Sequence, residues 1–182
     1  LTDKMSVPGH RPWRRGLHLL GFPGMGVSAK TIGENLRRIG DNVAAAAERA
    51  RRDPQEIHLV VVTKAVDTDT VKTLLAQGVR DLGENRVQQL AARADEIAAW
   101  LDRRRKDDLD PPRWHMIGHL QRNKVRTCLP VAAAIHSVDS LRLAEEIESR
   151  AAAAERVVDV CLEVNCSQEP QKHGVAVGAA AH

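Results

Sequence analysis

Short apolar runs alternate with helix-periodic segments along this chain, and that alternation constrains the fold more than any other feature. After Ser28, the residues Ile32, Leu36, Ile39 and Val43 recur at helical spacing, which predicts an amphipathic helix over residues 28–52, ending before Asp53-Pro54. Ile57–Thr63 is a β-branched, apolar run that suits a strand buried on both faces. The pattern then repeats. Helical segments are expected at Thr68–Gln77 (closed by Gly78), Asn85–Leu101, Gln121–Cys128 and Ser140–Ala154. Between and after them, Val79–Leu82, Trp114–Ile117, Ala134–Val138 and Val157–Val164 read as further strands.

Alternation of this kind predicts an α/β fold with a parallel sheet and right-handed crossovers. Two closures satisfy it, an open doubly wound sheet or a (β/α)8 barrel. No GxGxxG follows the first strand, which disfavours the dinucleotide-binding version of the open sheet. The barrel is preferred, with about five of its eight strands present, since a full barrel takes about 250 residues. Residues 28–174 are expected to form this partial barrel domain. Residues 1–27 are expected to be a tail or sequence upstream of a start at Met25, and residues 175–182 a C-terminal tail. An opened barrel would expose an unpaired strand edge and an apolar inner face.

Charge and cysteine content narrow the partners. Lys and Arg number 27 against 24 Asp and Glu, an excess too small to imply nucleic acid. Part of it sits in Arg14-Arg15 and in Arg103–Lys106, which read as a tail and a solvated loop. With aromatic residues at 2%, stacking platforms for bases are scarce, so an interaction module built on Arg103–Lys106 and Lys124 is disfavoured. Cys128, Cys161 and Cys166 are odd in number and lack CxxC spacing, so the expectation is a reduced, cytoplasmic protein without a disulfide framework. No apolar run approaches the roughly 20 residues a membrane span needs.

In barrels and open α/β sheets alike, chemistry gathers at the carboxyl ends of the strands. Those ends carry Thr63-Lys64, Gly83-Glu84-Asn85, Gly118-His119, His136-Ser137-Val138-Asp139 and Asn165. A lysine at an apolar mouth is partly desolvated, which favours the neutral, nucleophilic amine. The alternative is a lysine that snorkels into water. Asn85 and Asp139 are equally placed to cap the helices that follow them. His115, His119 and His136 show no HxH or HxxxH spacing, so no metal site is expected, and His115 reads as strand packing or as contact with a ring-shaped ligand. Ser137 and Asp139 near His136 suggest a hydrolase triad only superficially, because GxSxG is absent.

Five segments carry a family resemblance: LVVVTKAV (Leu59–Val66), LGENRVQQ (Leu82–Gln89), WHMIGHLQRNKV (Trp114–Val125), IHSVDS (Ile135–Ser140) and LEVNCSQEPQKHG (Leu162–Gly174). In this order and spacing, one per strand, they resemble the signatures of the pyridoxal phosphate homeostasis proteins. That family is similar to the N-terminal barrel of alanine racemase without its second domain. The resemblance implies that the chain binds pyridoxal 5′-phosphate (PLP) and takes part in intracellular PLP homeostasis, with no established reaction. It implies Lys64 as the lysine that holds the cofactor as a Schiff base. Asn85, His115, Ser137 and Asn165 fall in matching motifs as weaker candidates for lining it. PLP-dependent apo-enzymes are the implied recipients.

The resemblance also implies three further strands, with a serine-containing loop and an Arg-Gly turn that hold the phosphate; the chain is therefore expected to be a shortened member. Two alternatives stand beside the carrier. One is a racemase-like PLP enzyme, which needs a proton donor on the cofactor face opposite the lysine. That donor is a second-domain tyrosine in the related racemase, and this sequence has no tyrosine. The other is a non-functional remnant.

Overall fold

The computed structural model describes residues 28–104 and 109–180. The expected N-terminal tail, Arg105 and Lys106 lie outside the described residues. The chain divides into two compact units, Leu1–His58 and Leu59–His182.

In the first unit, helix α1 spans Ala29–Arg49. Ser28 starts it as N-cap, its Oγ accepting the amide of Thr31 at 3.1 Å. Ile32, Gly33, Leu36 and Ala47 are its buried residues. Ile39, expected on the same stripe, is exposed; at about 100° per residue it falls roughly 70° from the centre of the buried arc. A 3-10 turn at Pro54–Glu56 follows, capped by Asp53, whose carboxylate accepts from the Gln55 amide at 2.9 Å.

The second unit holds a sheet of five parallel strands: β1 (Val61–Val62), β2 (Asp81–Glu84), β3 (Arg113–Met116), β4 (Ala132–Val138) and β5 (Asp159–Leu162). Spatial order equals chain order. The reversal of order that defines a doubly wound sheet is therefore absent among the described residues. Helices α2 (Thr68–Ala76), α3 (Val87–Asp102), α4 (Val125–Cys128, after a 3-10 turn at Arg122–Lys124) and α5 (Leu141–Ala153) connect consecutive strands. This is the expected alternation. Along β3, Trp114 and Met116 are buried while Arg113 and His115 are half-buried, so the two faces differ. The buried face joins Leu82 and Ile135 to Val71, Leu75, Leu90, Ile97, Leu120, Val125, Leu143 and Ile147 from the connecting segments. Every fully buried Leu or Ile side chain of this kind contributes about 1.5–3 kcal/mol, and together they hold the strand ends in register.

Several boundaries depart from the sequence expectations. The run Ile57–Thr63 pairs only over Val61–Val62, and Val62 is half-exposed rather than buried on both faces. Among the described residues β1 pairs only with β2, so its β-branched content reports extension, not burial. The expected last strand, Val157–Val164, divides at Glu163, which donates its amide to Val138 O at 2.8 Å. Beyond it, β6 (Val164–Asn165) pairs in parallel with β7 (Val175–Ala176). Paired backbone thus continues two residues past the expected boundary at Gly174. All four residues of β5 are exposed, including Val160 and Leu162.

The basic loop begins as anticipated on the surface, with the Arg104 guanidinium 5.3 Å from the centre of the Trp100 ring. No described helix is long and apolar enough to cross a membrane.

Candidate functional site

Parallel pairing aligns the carboxyl ends of the strands. The Thr63 amide donates to Gly83 O at 2.9 Å, and the Ile117 amide to Glu84 O at 2.9 Å. Thr63-Lys64, Glu84-Asn85 and Ile117-Gly118 are therefore neighbours on one rim, with Ser137-Val138 and Glu163 continuing it.

Lys64 leaves β1 directly after the fully buried Thr63. Lys64 is exposed, which fits the reading of a lysine that reaches into water and not the desolvated one. The backbone beneath it is held firmly. Arg93, buried on α3, donates from Nη1 to Thr63 O at 2.7 Å and from Nη2 to Val66 O at 2.7 Å. The same Nη1 lies 2.6 Å from Glu84 Oε1, which also accepts the Thr63 hydroxyl at 2.6 Å. Gln89 donates to Lys64 O at 3.2 Å. A buried guanidinium–carboxylate pair thus clamps both sides of Lys64, while the lysine head has no ion-pair partner among the described residues. Arg93 and Glu84 carry this arrangement; sequence reasoning placed Glu84 on the rim without giving it a role and passed over Arg93. The signal was present in a charged residue at each of two core-facing positions, Glu84 on a strand and Arg93 six residues into a helix.

Asn85 does not cap the following helix; Arg86 occupies that position. Asn85 instead packs its backbone against Gly118. A Cβ on Gly118 would lie 2.3 Å from Asn85 O and 2.8 Å from its Cα, so only glycine lets the β2 and β3 ends approach this closely. Ser137, nearly fully buried, donates to Gly118 O at 2.5 Å. Asn85, Gly118 and Ser137 therefore form one contact at the centre of the rim.

His115 sits below the rim, paired in register with Gly83. Its Nε2 is 2.9 Å from Asp81 Oδ1 and its Nδ1 2.9 Å from His136 Nε2. Arg113 donates to Asp81 Oδ2 at 2.6 Å. Burial pushes the Asp81 carboxyl up, but the bonds from His115 and Arg113 outweigh it and hold the group at about 2. With Asp81 ionised, Nε2 of His115 is the donor toward it. Burial, and then the charge of His115, keeps His136 below the usual histidine value. Both His115 nitrogens are thus committed within the sheet face, which fits the packing alternative.

Asn165 begins a loop and holds it together. Its amide donates to Glu169 O at 2.9 Å and Lys172 O at 3.4 Å, and its Oδ1 accepts from Ser167 at 3.2 Å. Hydrogen-bonded pairing does not bring Asn165 beside Lys64. Asn165 belongs to the separate β6–β7 pair, whereas Lys64 follows β1 of the five-stranded sheet. Of the five candidates, Lys64 and Asn85 follow the ends of the adjacent strands β1 and β2, Ser137 supports the Asn85 contact through Gly118, and His115 and Asn165 hydrogen-bond to other groups.

A second cluster was not legible. Asp139 does not cap α5; Ser140 occupies the N-cap position, without a side-chain capping bond. Asp139 Oδ2 instead lies 2.9 Å from His119 Nδ1 and 3.9 Å from His173 Nδ1. The two imidazoles stack with centroids 3.9 Å apart and planes 13° from parallel. His173 is 54 residues from His119 in sequence, and no motif spacing links them.

No family model matches the chain. Similarity to curated proteins is extensive. The "Pyridoxal phosphate homeostasis protein" of Pseudomonas aeruginosa is 36% identical over 146 residues, 80% of this chain and 59% of the relative. The protein of the same name from Aquifex aeolicus is 35% identical over 78% of this chain and 58% of its own length. Among solved structures, a protein from Bifidobacterium adolescentis described as unknown matches with a TM-score of 0.73 and 38% identity, covering 84% of this chain and 62% of that one. PipY of Synechococcus elongatus, solved without PLP, matches with a TM-score of 0.64 and 32% identity over 81% of this chain and 60% of PipY. Its PLP-bound form matches with a TM-score of 0.59. The chain spans about three fifths of the length of the curated relatives it matches. Over that shared stretch the chain is similar to the pyridoxal phosphate homeostasis proteins.

Proposed function

We propose that this chain binds pyridoxal 5′-phosphate through the Lys64 amine and serves as a PLP-holding homeostasis protein, not as an enzyme. One observation carries the reading. Lys64 presents an accessible primary amine, unpaired among the described residues, on a segment whose flanking carbonyls are fixed by the buried Arg93. That donor suits the cofactor, whose aldehyde condenses with a lysine amine with loss of water. Supporting it is the similarity to PipY, a protein solved with PLP bound.

Each chain residue then has a defined task. Arg93 and Gln89 fix the backbone on either side of the amine, and Asn85 lies at the neighbouring strand end as the second contact. Ser137 and Gly118 set the position of Asn85, while His115 and Asn165 stabilise the scaffold. The consecutive strand order supports reading the sheet as part of a (β/α)8 barrel, in which carboxyl-end loops form the binding face. A carrier is favoured over a racemase because the matched curated relatives are named as homeostasis proteins. Apo-enzymes that use PLP are the natural recipients of a cofactor held in this way.

Titration of the full chain with PLP tests the reading. A new absorption band should appear, saturate, and be absent from Lys64→Ala. Asn85→Ala should weaken binding several-fold while keeping the band. A band of undiminished amplitude in Lys64→Ala would overturn the assignment.

A further inference from the structure

We propose that His119, Asp139 and His173 form a binding site for a single divalent transition-metal ion of the zinc class. The site is independent of the Lys64 reading and uses none of its residues.

The ligand set has the right chemistry. Two imidazoles and one carboxylate suit Zn2+, Co2+ or Ni2+, whereas Mg2+ and Ca2+ require oxygen donors throughout. Three protein ligands with a fourth position left to water is the arrangement of open zinc sites. The three ligand atoms all lie within 4.8 Å of one another. With metal–ligand bonds of about 2.0–2.1 Å, tetrahedral ligand atoms stand roughly 3.3 Å apart. The two separations from Asp139 Oδ2, 2.9 Å to His119 and 3.9 Å to His173, straddle that value. Each must change by about half an ångström, and the stacked rings must splay so that both Nδ1 lone pairs converge. Both imidazoles are exposed enough to rotate, with side-chain exposures of 41% and 57%.

Support behind the ligands strengthens the case. Asp139 is largely buried, and Ser140 Oγ donates to its other oxygen, Oδ1, at 3.2 Å. That bond orients the carboxylate so that Oδ2 faces the imidazoles, the outer-shell arrangement typical of metal ligands. His173 is presented by the loop that Asn165 ties through the carbonyls of Glu169 and Lys172. Gly174 then turns with φ +114°, where a Cβ would lie 2.6 Å from Asn165 N. The ligands thus come from three separate segments, the ends of β3 and β4 and the β6–β7 loop. His173 Nδ1, at 3.9 Å, is too far from Asp139 to hydrogen-bond, and stacking on His119 holds its ring beside the shared oxygen.

Cobalt and zinc binding test the site. The chain with Cys161→Ser and Cys166→Ser removes the exposed thiols as competing soft ligands. Co2+ should give ligand-field absorption that saturates at one ion per chain, and Zn2+ should displace it. His173→Ala and His119→Ala should each weaken Zn2+ at least tenfold by calorimetry. Ser140→Ala should weaken it by about tenfold, and His58→Ala should leave it unchanged. Zn2+ should also raise the melting temperature of the parent and not of His173→Ala. Absence of saturable Co2+ absorption, or Zn2+ affinity unaltered in His173→Ala, would overturn the proposal.

Discussion

Replacing Arg93 by methionine removes the clamp beneath Lys64 and leaves a buried carboxylate behind. Glu84 is fully buried, Arg93 is its ion-pair partner at 2.6 Å, and Glu84 Oε2 has no hydrogen-bond partner. After the substitution Glu84 retains the neutral Thr63 hydroxyl, Val66 O loses the Arg93 donor, and Thr63 O keeps only the Val66 amide at 3.1 Å. Breaking one side of a buried pair costs about 3–5 kcal/mol, because the remaining charge is uncompensated. Against a total stability of about 5–15 kcal/mol for an ordinary domain, that is a large fraction. Urea denaturation followed by the fluorescence of the buried Trp100 and Trp114 measures it directly. The double variant Arg93→Met/Glu84→Gln removes the stranded charge and should recover roughly half of the loss or more. The single variant should also react more slowly with PLP, since the Lys64 segment loses both anchoring bonds. A loss under about 1 kcal/mol in Arg93→Met, or a double variant no more stable than the single, would refute the clamp.

Gly118→Ala should destabilise by about 1–3 kcal/mol or more in the same assay, because the new methyl meets Asn85 backbone at 2.3 Å and cannot be accommodated by a side-chain rotation. Asp81 is held down to about 2 in the folded chain, so its contribution is complete above about pH 4 and is lost as pH falls toward 2. Unfolding measured across that interval should show about 2 kcal/mol of stability disappearing, and Asp81→Asn should flatten the dependence. Cys128 is buried, and burial pushes its thiol up to about 11, while Cys161 and Cys166 are exposed. A thiol-reactive dye should therefore label two cysteines in the native chain and the third only in denaturant.

Much of the architecture was readable because hydrophobic periodicity reports which face of an element is buried. The alternation that fixes five parallel strands and their connecting helices survives in the structure, as does Ser28 as the start of α1. What the sequence misplaces are features decided by neighbours distant along the chain. Ile57–Thr63 looks like a central strand, yet among the described residues it pairs only with β2, and nothing local distinguishes the two situations. Asn85 and Asp139 have the right chemistry for helix caps, but the close approach at Gly118 and the pairing with His119 redirect them. Lys64 was legible from its place after an apolar run and from the motif around it. Its supports, Glu84 and Arg93, were not singled out because a buried ion pair leaves only two isolated charges in the sequence. His173 required the β6–β7 turn, a pairing of two residues with two, too short to carry a periodic signal.

Borohydride reduction of the chain after incubation with PLP, followed by peptide mapping, tests the central claim most directly. The stable adduct should map to the peptide containing Lys64 and vanish in Lys64→Arg, which keeps the charge but not the nucleophilic amine. Modification spread over Lys72, Lys124 and Lys172 with Lys64 untouched would contradict the account.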